Sequence, residues 1–171
     1  AKEAGFPAGV FNVITGSASE IGKELTSNPI VRKISFTGST EVGKILLEQS
    51  ASTVKKVSME LGGHAPFIVF DDADMDEAVA GALQSKFRNS GQTCICSNRI
   101  FVHENIYDEF LEKFTNEVSK ITVGNGLEDG ITSGPLIDQS SLEKVVDHVQ
   151  DAVNTGAKIA IGGDVHSLGG N

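Results

Sequence analysis

Phe36-Thr37-Gly38-Ser39-Thr40-Glu41-Val42-Gly43-Lys44 is the stretch that decides the fold. The run Arg32-Lys33-Ile34-Ser35-Phe36 is β-rich and ends near a glycine. Ser39 and Thr40 are helix-starting residues, so a strand turns directly into a helix. The helical pattern continues over residues 40–51, and Val57-Ser58-Met59-Glu60-Leu61 reads as the next strand. Upstream, Val10-Phe11-Asn12-Val13-Ile14 reads as a strand and residues 19–27 as a helix. Strands alternating with amphipathic helices predict an α/β fold.

A second unit is expected beyond Gly62-Gly63. Pro66 precedes a strand over residues 67–70, and Asp74, with Glu77 three positions on, caps a helix striped by Val79, Leu83 and Phe87. Ile100-Phe101-Val102 forms the next strand. Ile106, Phe110, Phe114 and Val118 recur at helical spacing and predict a core-facing stripe. Residues 124–135 form a Gly-rich polar loop, after which Ser140 and Glu143 make a capping-box pattern ahead of Leu142, Val145, Val149 and Val153. Gly156 ends that helix, and Ile159-Ala160-Ile161 is expected to be the last strand.

Composition narrows the function classes. The 171 residues carry a net charge of −9, with one Tyr and no Trp, so the basic face that a phosphate backbone or an anionic membrane demands is missing. No nucleic-acid or membrane partner is expected. Apolar stretches such as Phe67-Ile68-Val69-Phe70 fall far short of a span, and a cytoplasmic location is expected. With Cys94 and Cys96 as the whole thiol complement, neither a disulfide framework nor a four-cysteine zinc site can form. His64 and His103 match no zinc spacing with that pair, so no metal is expected. The chain opens at Ala1 and stops within a Gly-rich run at Asn171, and reads as a piece of a longer polypeptide.

Three places carry candidate chemistry. Gly38 to Lys44 matches Gly-x-x-x-x-Gly-Lys, but Ile45 stands where a P-loop needs a hydroxyl for magnesium. A phosphate or pyrophosphate could still dock at Ser39 on the helix N-terminus, or the glycines serve only the turn. Glu60 ends an apolar strand beside Gly62-Gly63 and suits a general base, unless it simply faces solvent. Cys94 lies in the polar segment Gly91-Gln92-Thr93-Cys94-Ile95-Cys96, with Lys86, Arg88 and Arg99 as cationic neighbours in sequence. It is either an activated nucleophile or an inert buried thiol. No Gly-x-Gly-x-x-Gly follows any strand, so a dinucleotide site here is unorthodox.

Taken in order, Phe36-Thr37-Gly38-Ser39-Thr40-Glu41-Val42-Gly43, Met59-Glu60-Leu61-Gly62-Gly63, Gly91-Gln92-Thr93-Cys94 and Gly134-Pro135-Leu136-Ile137 resemble the aldehyde dehydrogenase superfamily. Residues 3–13 and the spacing from Glu60 to Cys94 fit the same pattern, so the resemblance covers the whole chain. It implies the end of a Rossmann-type NAD(P)-binding domain over residues 1–63 and the start of an α/β catalytic domain over residues 64–171, with the cleft between them. It also implies oxidation of an aldehyde to an acid, with NAD or NADP as cofactor and homo-oligomers of the full chain. Cys94 would be the nucleophile, its backbone N–H an oxyanion donor, and Glu60 the base that activates water. Thr37, Gly38, Ser39, Gly43 and Leu61 would line the cofactor.

Residues 86–99 are most similar to the succinate-semialdehyde branch, where an arginine ahead of the nucleophile grips the substrate's distal carboxylate. Arg88 occupies that place. In some members of the branch a cysteine two residues after the nucleophile forms a reversible disulfide with it, which makes Cys96 a candidate redox switch. The competing expectations are a P-loop-like nucleotide-binding module and an inert structural piece of an aldehyde dehydrogenase. The family's oxyanion asparagine and ribose-reading residues fall outside residues 1–171, so the isolated 171-residue chain is expected to turn over no aldehyde. NAD(P)H formation by that purified chain would overturn this.

Overall fold

The computed structural model describes residues 1–171, and the chain divides into two compact units, Ala1–Gly62 and Gly63–Asn171. In the first, helix α1 (Ala18–Ser27) leads to strand β1 (Lys33–Thr37), helix α2 (Thr40–Ala51) and strand β2 (Lys56–Glu60). β1 and β2 pair in parallel, with Ile34 opposite Val57 and Thr37 opposite Glu60. Parallel neighbours need a crossover, and α2 is that crossover.

Local chemistry explains where each element starts. Ser17 caps α1 by accepting from the Glu20 N–H, and Ser39 caps α2 by accepting from the Val42 N–H at 3.3 Å. The buried Thr26 hydroxyl lies 2.8 Å from the Gly22 carbonyl of its own helix and 2.9 Å from the Gln49 amide oxygen of α2, tying the two helices. Lys55 Nζ donates to the carbonyls of Asn28 and Val31, tying the segment after α1 to the start of β2.

The expected strand over residues 10–14 does not form. Val10, Phe11, Val13 and Ile14 are exposed and pair with no neighbouring strand. A β-rich run becomes a strand only where an edge accepts it, because its ladder bonds lie between chains rather than within one.

In the second unit, strand β3 (Ala65–Val69), helix α3 (Met75–Phe87), strand β4 (Ser97–Val102), helix α4 (Tyr107–Val118) and helix α5 (Gln139–Asn154) follow in order. β3 and β4 are parallel, with a register shift between Ala65 and Pro66. Pro66 has no N–H for the ladder, which suits a bulge at that point. Asp74 caps α3 through the Glu77 N–H at 3.0 Å. The core gathers Val69, Val79, Ala82 and Phe110, with Phe67, Met75, Ile100, Ile106 and Phe114 packed on it. The Phe110 and Phe114 rings stack with centroids 5.5 Å apart. Burial of each such side chain contributes about 1.5–3 kcal/mol. Ile106, placed by its spacing on the α4 face, belongs instead to a one-turn helix, Glu104–Ile106, that feeds α4. Lys113 bonds Asp76 across the two helices at 2.7 Å, and that bond raises its pKa.

Two expectations near the C-terminal end change. α5 is capped by Asp138, not by a Ser140–Glu143 box. Asp138 Oδ1 accepts from the Ser141 N–H at 2.8 Å and from the Ser140 hydroxyl at 2.9 Å, while Glu143 accepts from the Gln139 side chain. Ser140 is thus a donor to the cap, because a carboxylate is the better acceptor for N–H groups at a helix start. Ile159-Ala160-Ile161 is irregular and Ile159 and Ile161 are exposed, again for want of a strand to pair with. Gly156 does close α5, at φ +100°. No helix is long and apolar enough to cross a membrane.

The bonds from Ser141 and Ser140 hold the Asp138 carboxyl below its ordinary value of 3.8. A depressed carboxyl contributes to folding above that ordinary value and loses the contribution as the pH falls through its own lower value. Asp138→Ala is therefore expected to speed amide exchange in the first turn of α5 at neutral pH. The difference from wild type should vanish in strong acid. Equal exchange at neutral pH would show that Asp138 does not hold this end.

Candidate functional site

In the first unit the turn after β1 brings several sequence-predicted residues together. Thr37 lies opposite Glu60 in the sheet register, and the Gly38 N–H donates to the Glu60 carbonyl at 3.0 Å. Ser39 follows at the N-cap of α2. Thr37, Gly38, Ser39 and Glu60 are all exposed, at the carboxyl ends of two parallel strands. That is where open α/β sheets receive ligands. The twelve-residue helix α2 directs its positive end at this turn, so an anion placed there meets backbone N–H groups rather than bulky side chains.

Gly38 and Gly43 sit where an added Cβ would crowd a neighbouring side chain. A Cβ at residue 38 would strike the Phe36 ring, and one at residue 43 would lie 2.7 Å from a Leu61 methyl. Gly43 is buried in α2 and Leu61 fills the space above it. These two residues therefore hold α2 against the end of β2.

In the second unit the path from α3 to β4 carries Arg88, Cys94 and Cys96. Asn89, Ser90 and Gly91 take successive left-handed conformations, with φ of 52°, 55° and 77°. Such a conformation costs about 1–2 kcal/mol for a non-glycine residue, so something must hold it. Ser90 Oγ lies 3.0 Å from Ser133 Oγ, donates to the Gly134 carbonyl at 2.9 Å and accepts from the Gly134 N–H at 3.2 Å. Gln92 Oε1 accepts from the Ile137 N–H at 2.9 Å, and its Nε2 lies 3.3 Å from the Pro135 carbonyl. The Gly134-Pro135-Leu136-Ile137 stretch thus backs the segment that leads to Cys94.

The two cysteines have opposite settings. Cys94 is exposed rather than buried. Cys96 is 1% exposed, with its sulfur 2.7 Å from Thr93 Oγ1 and 3.6 Å from the Lys86 carbonyl. Beside it Ser85 donates to Ser97 at 2.8 Å. Gly63 has its own place here: a Cβ on it would lie 2.7 Å from the Cys94 carbonyl oxygen.

Of the three cations near Cys94 in sequence, two are engaged elsewhere. Arg99 directs Nε and an Nη at the His64 carbonyl, at 3.1 and 2.7 Å, and Lys86 donates to Asn98. Arg88 is exposed at the end of α3, and its guanidinium has no hydrogen bond or ion pair within the chain. Sequence reasoning missed Ser90 and Gln92. The Ser90-Gly91 pair signals a turn, but nothing local signals partners more than forty residues away.

The aldehyde dehydrogenase family model matches residues 1–171. The chain is 61% identical over its whole length to the succinate-semialdehyde dehydrogenase [NADP(+)] GabD of Escherichia coli K12, covering 36% of that protein. It is 60% identical over its whole length to a 3-sulfolactaldehyde dehydrogenase of Pseudomonas putida, covering 35% of it. A crystal structure described as an E. coli NADP dependent enzyme superimposes with a TM-score of 0.97 at 60% identity, over 99% of this chain and 35% of the other. The fold is that of an α/β dehydrogenase, and the chain belongs to the aldehyde dehydrogenase family. It spans about a third of the length of the curated relatives it matches.

The close approach of Gly63 to Cys94 is testable. Gly63→Ala sets a methyl against a backbone carbonyl and is expected to destabilise the full-length protein by about 1–3 kcal/mol. Gly62→Ala, with nothing within 4 Å of its Cβ, should leave stability near wild type. Denaturant unfolding of the two variants checks the contrast, and equal midpoints would refute it.

Proposed function

We propose that the full-length protein oxidises an aldehyde with a distal anionic group to the carboxylic acid, using NAD+ or NADP+. The observation that carries this reading is the exposed Cys94 thiol, on a segment held at both ends, with the uncommitted Arg88 guanidinium at its start. Residues 1–63 serve the cofactor and residues 64–171 begin the catalytic domain. Thr37, Gly38 and Ser39 hold the cofactor pyrophosphate at the positive end of α2, with Gly43 and Leu61 packing that helix in place.

The Cys94 thiolate attacks the carbonyl carbon, forming a C–S bond and an alkoxide that the Cys94 backbone N–H steadies. A nicotinamide cofactor, when bound, would supply the hydride acceptor for that carbon, and loss of the hydride leaves a thioester on Cys94. Glu60 then takes a proton from a water molecule, the hydroxide adds to the thioester, and the C–S bond breaks to release the acid and the thiolate. One aldehyde, one water and one oxidised cofactor give one carboxylic acid, one reduced cofactor and one proton, which Glu60 releases to solvent.

Arg88 presents a planar fork of donors that suits a carboxylate or a sulfonate at the far end of the substrate. The names of the relatives support this class, since succinate semialdehyde and 3-sulfolactaldehyde both carry such a group. A free nucleophilic thiol beside a second unpaired cysteine suits a reducing compartment, and we place the protein in the cytoplasm.

The test is the rate of NAD+ and NADP+ reduction by the full-length protein with succinate semialdehyde and with butanal. Succinate semialdehyde should be preferred by orders of magnitude in kcat/KM, Arg88→Ala should remove most of that preference, and Cys94→Ala should abolish turnover with both. Equal use of butanal would remove the anion clamp. Turnover by Cys94→Ala would remove the nucleophile.

A further inference from the structure

The two longest-range side-chain contacts of the Cys94 segment both end on one strap of chain, residues 133–137. The strap has no helix or strand of its own beyond a single bridge between Ser133 and Val123. It is fixed from behind, where the Gly124 N–H donates to the Ser133 carbonyl at 3.0 Å, and from beyond, where Asp138 begins α5. Every group of the strap that Ser90 and Gln92 touch is backbone except the Ser133 hydroxyl.

A serine hydroxyl has one hydrogen and two lone pairs. With its hydrogen on the Gly134 carbonyl, Ser90 must accept from the Ser133 hydroxyl and from the Gly134 N–H, which saturates it. Gln92 works like a short piece of strand: it accepts from the Ile137 N–H and offers its amide hydrogen to the Pro135 carbonyl, two residues back. Pro135 has no N–H, so its carbonyl is the only backbone group it can contribute. The same Gln92 amide also lies 3.4 Å from the Asn89 carbonyl, and Asn89 donates to the Gln92 carbonyl at 3.1 Å, closing the left-handed turn on itself.

Resting on the reading of Cys94 as the nucleophile, we propose that Ser90 and Gln92 are positioning residues, which dock the nucleophile's loop onto residues 133–137 and so hold its approach to the substrate. Neither touches the reacting atoms. Their effect passes through the backbone from Gln92 to Cys94, whose other side is held by Cys96 in its buried seat.

The experiment compares Ser90→Gly, Gln92→Ala and Gln92→Glu with wild type in the full-length protein, reading kcat, KM, thermal midpoint and amide exchange over residues 92–96. Ser90→Gly removes the hydroxyl and also the left-handed penalty, so its midpoint should stay close to that of wild type while kcat falls. A misplaced nucleophile is expected to lower kcat roughly 10- to 100-fold, with KM for the cofactor unchanged. Gln92→Ala should match it, and Gln92→Glu, which keeps the acceptor for the Ile137 N–H, should retain more activity than Gln92→Ala. Faster exchange over residues 92–96 accompanies each loss. Folded Ser90→Gly or Gln92→Ala protein with wild-type kcat and exchange overturns the proposal, as does activity that only tracks the folded fraction. If wild type oxidises no aldehyde, the proposed function fails on its own, and the exchange comparison alone decides the docking: faster exchange supports it and unchanged exchange overturns it.

Discussion

Three successive residues in the left-handed region, Asn89, Ser90 and Gly91, are the constraint on which the Cys94 segment depends. Only the last is a residue that takes this conformation without cost. The turn persists because its surroundings over-determine it: three hydrogen bonds to one hydroxyl, an amide reaching across to the strap, and a buried sulfur beyond. Strain held this way appears where a side chain must be presented at an angle that a regular element cannot supply. Here that side chain is Cys94, which stays exposed while its neighbours on both sides are tied down.

The parallel pairs supply the rigid base for this. β1 with β2, and β3 with β4, are each joined through a helix, so each pair of strand ends is registered by the crossover rather than by a flexible hairpin. In the first unit this registration puts the turn at Gly38 beside the backbone of Glu60, through one hydrogen bond of 3.0 Å. In the second it puts Gly63, just ahead of β3, against the Cys94 carbonyl just ahead of β4. The glycines in these places lie close to specific neighbours: the Phe36 ring for Gly38, the Leu61 side chain for Gly43 and the Cys94 backbone carbonyl for Gly63. The Gly-rich pattern that resembles a phosphate loop thus also records close packing between a helix and the strands beside it.

Most elements were legible in the sequence because they are decided locally. Ser39 before Thr40 and Asp74 before Met75 cap their helices within three residues, and the Phe110 and Phe114 pair declares its face by its spacing. Residues 10–14 and 159–161 misled for a shared reason. They are as β-rich as any true strand here, but a strand is defined by the partner it pairs with, and composition says nothing of partners. The cap of α5 misled because two acceptors competed within three residues and the carboxylate of Asp138 took the N–H groups. At the candidate site, Cys94, Glu60, Ser39 and Arg88 stand out in the sequence as residue types in motifs. Ser90 and Gln92 do not, since their bonds run to backbone groups across more than forty residues.

The same distinction between local type and long-range setting separates the two thiols. By sequence Cys94 and Cys96 are near-equivalents, and the resemblance of residues 86–99 to the succinate-semialdehyde branch is what implies a reversible disulfide between them. In the folded chain Cys96 is a small buried anchor, its sulfur against the Thr93 hydroxyl and the Lys86 carbonyl at the end of α3. Bringing that sulfur to Cys94 means breaking both contacts and emptying a packed site, and a vacated core position costs the contacts of its lining as well. Burial of Cys96 and exposure of Cys94 therefore give the two thiols different access to an oxidant from solvent. The exposed thiol and the buried one are thus two ends of one short segment, fixed by different partners.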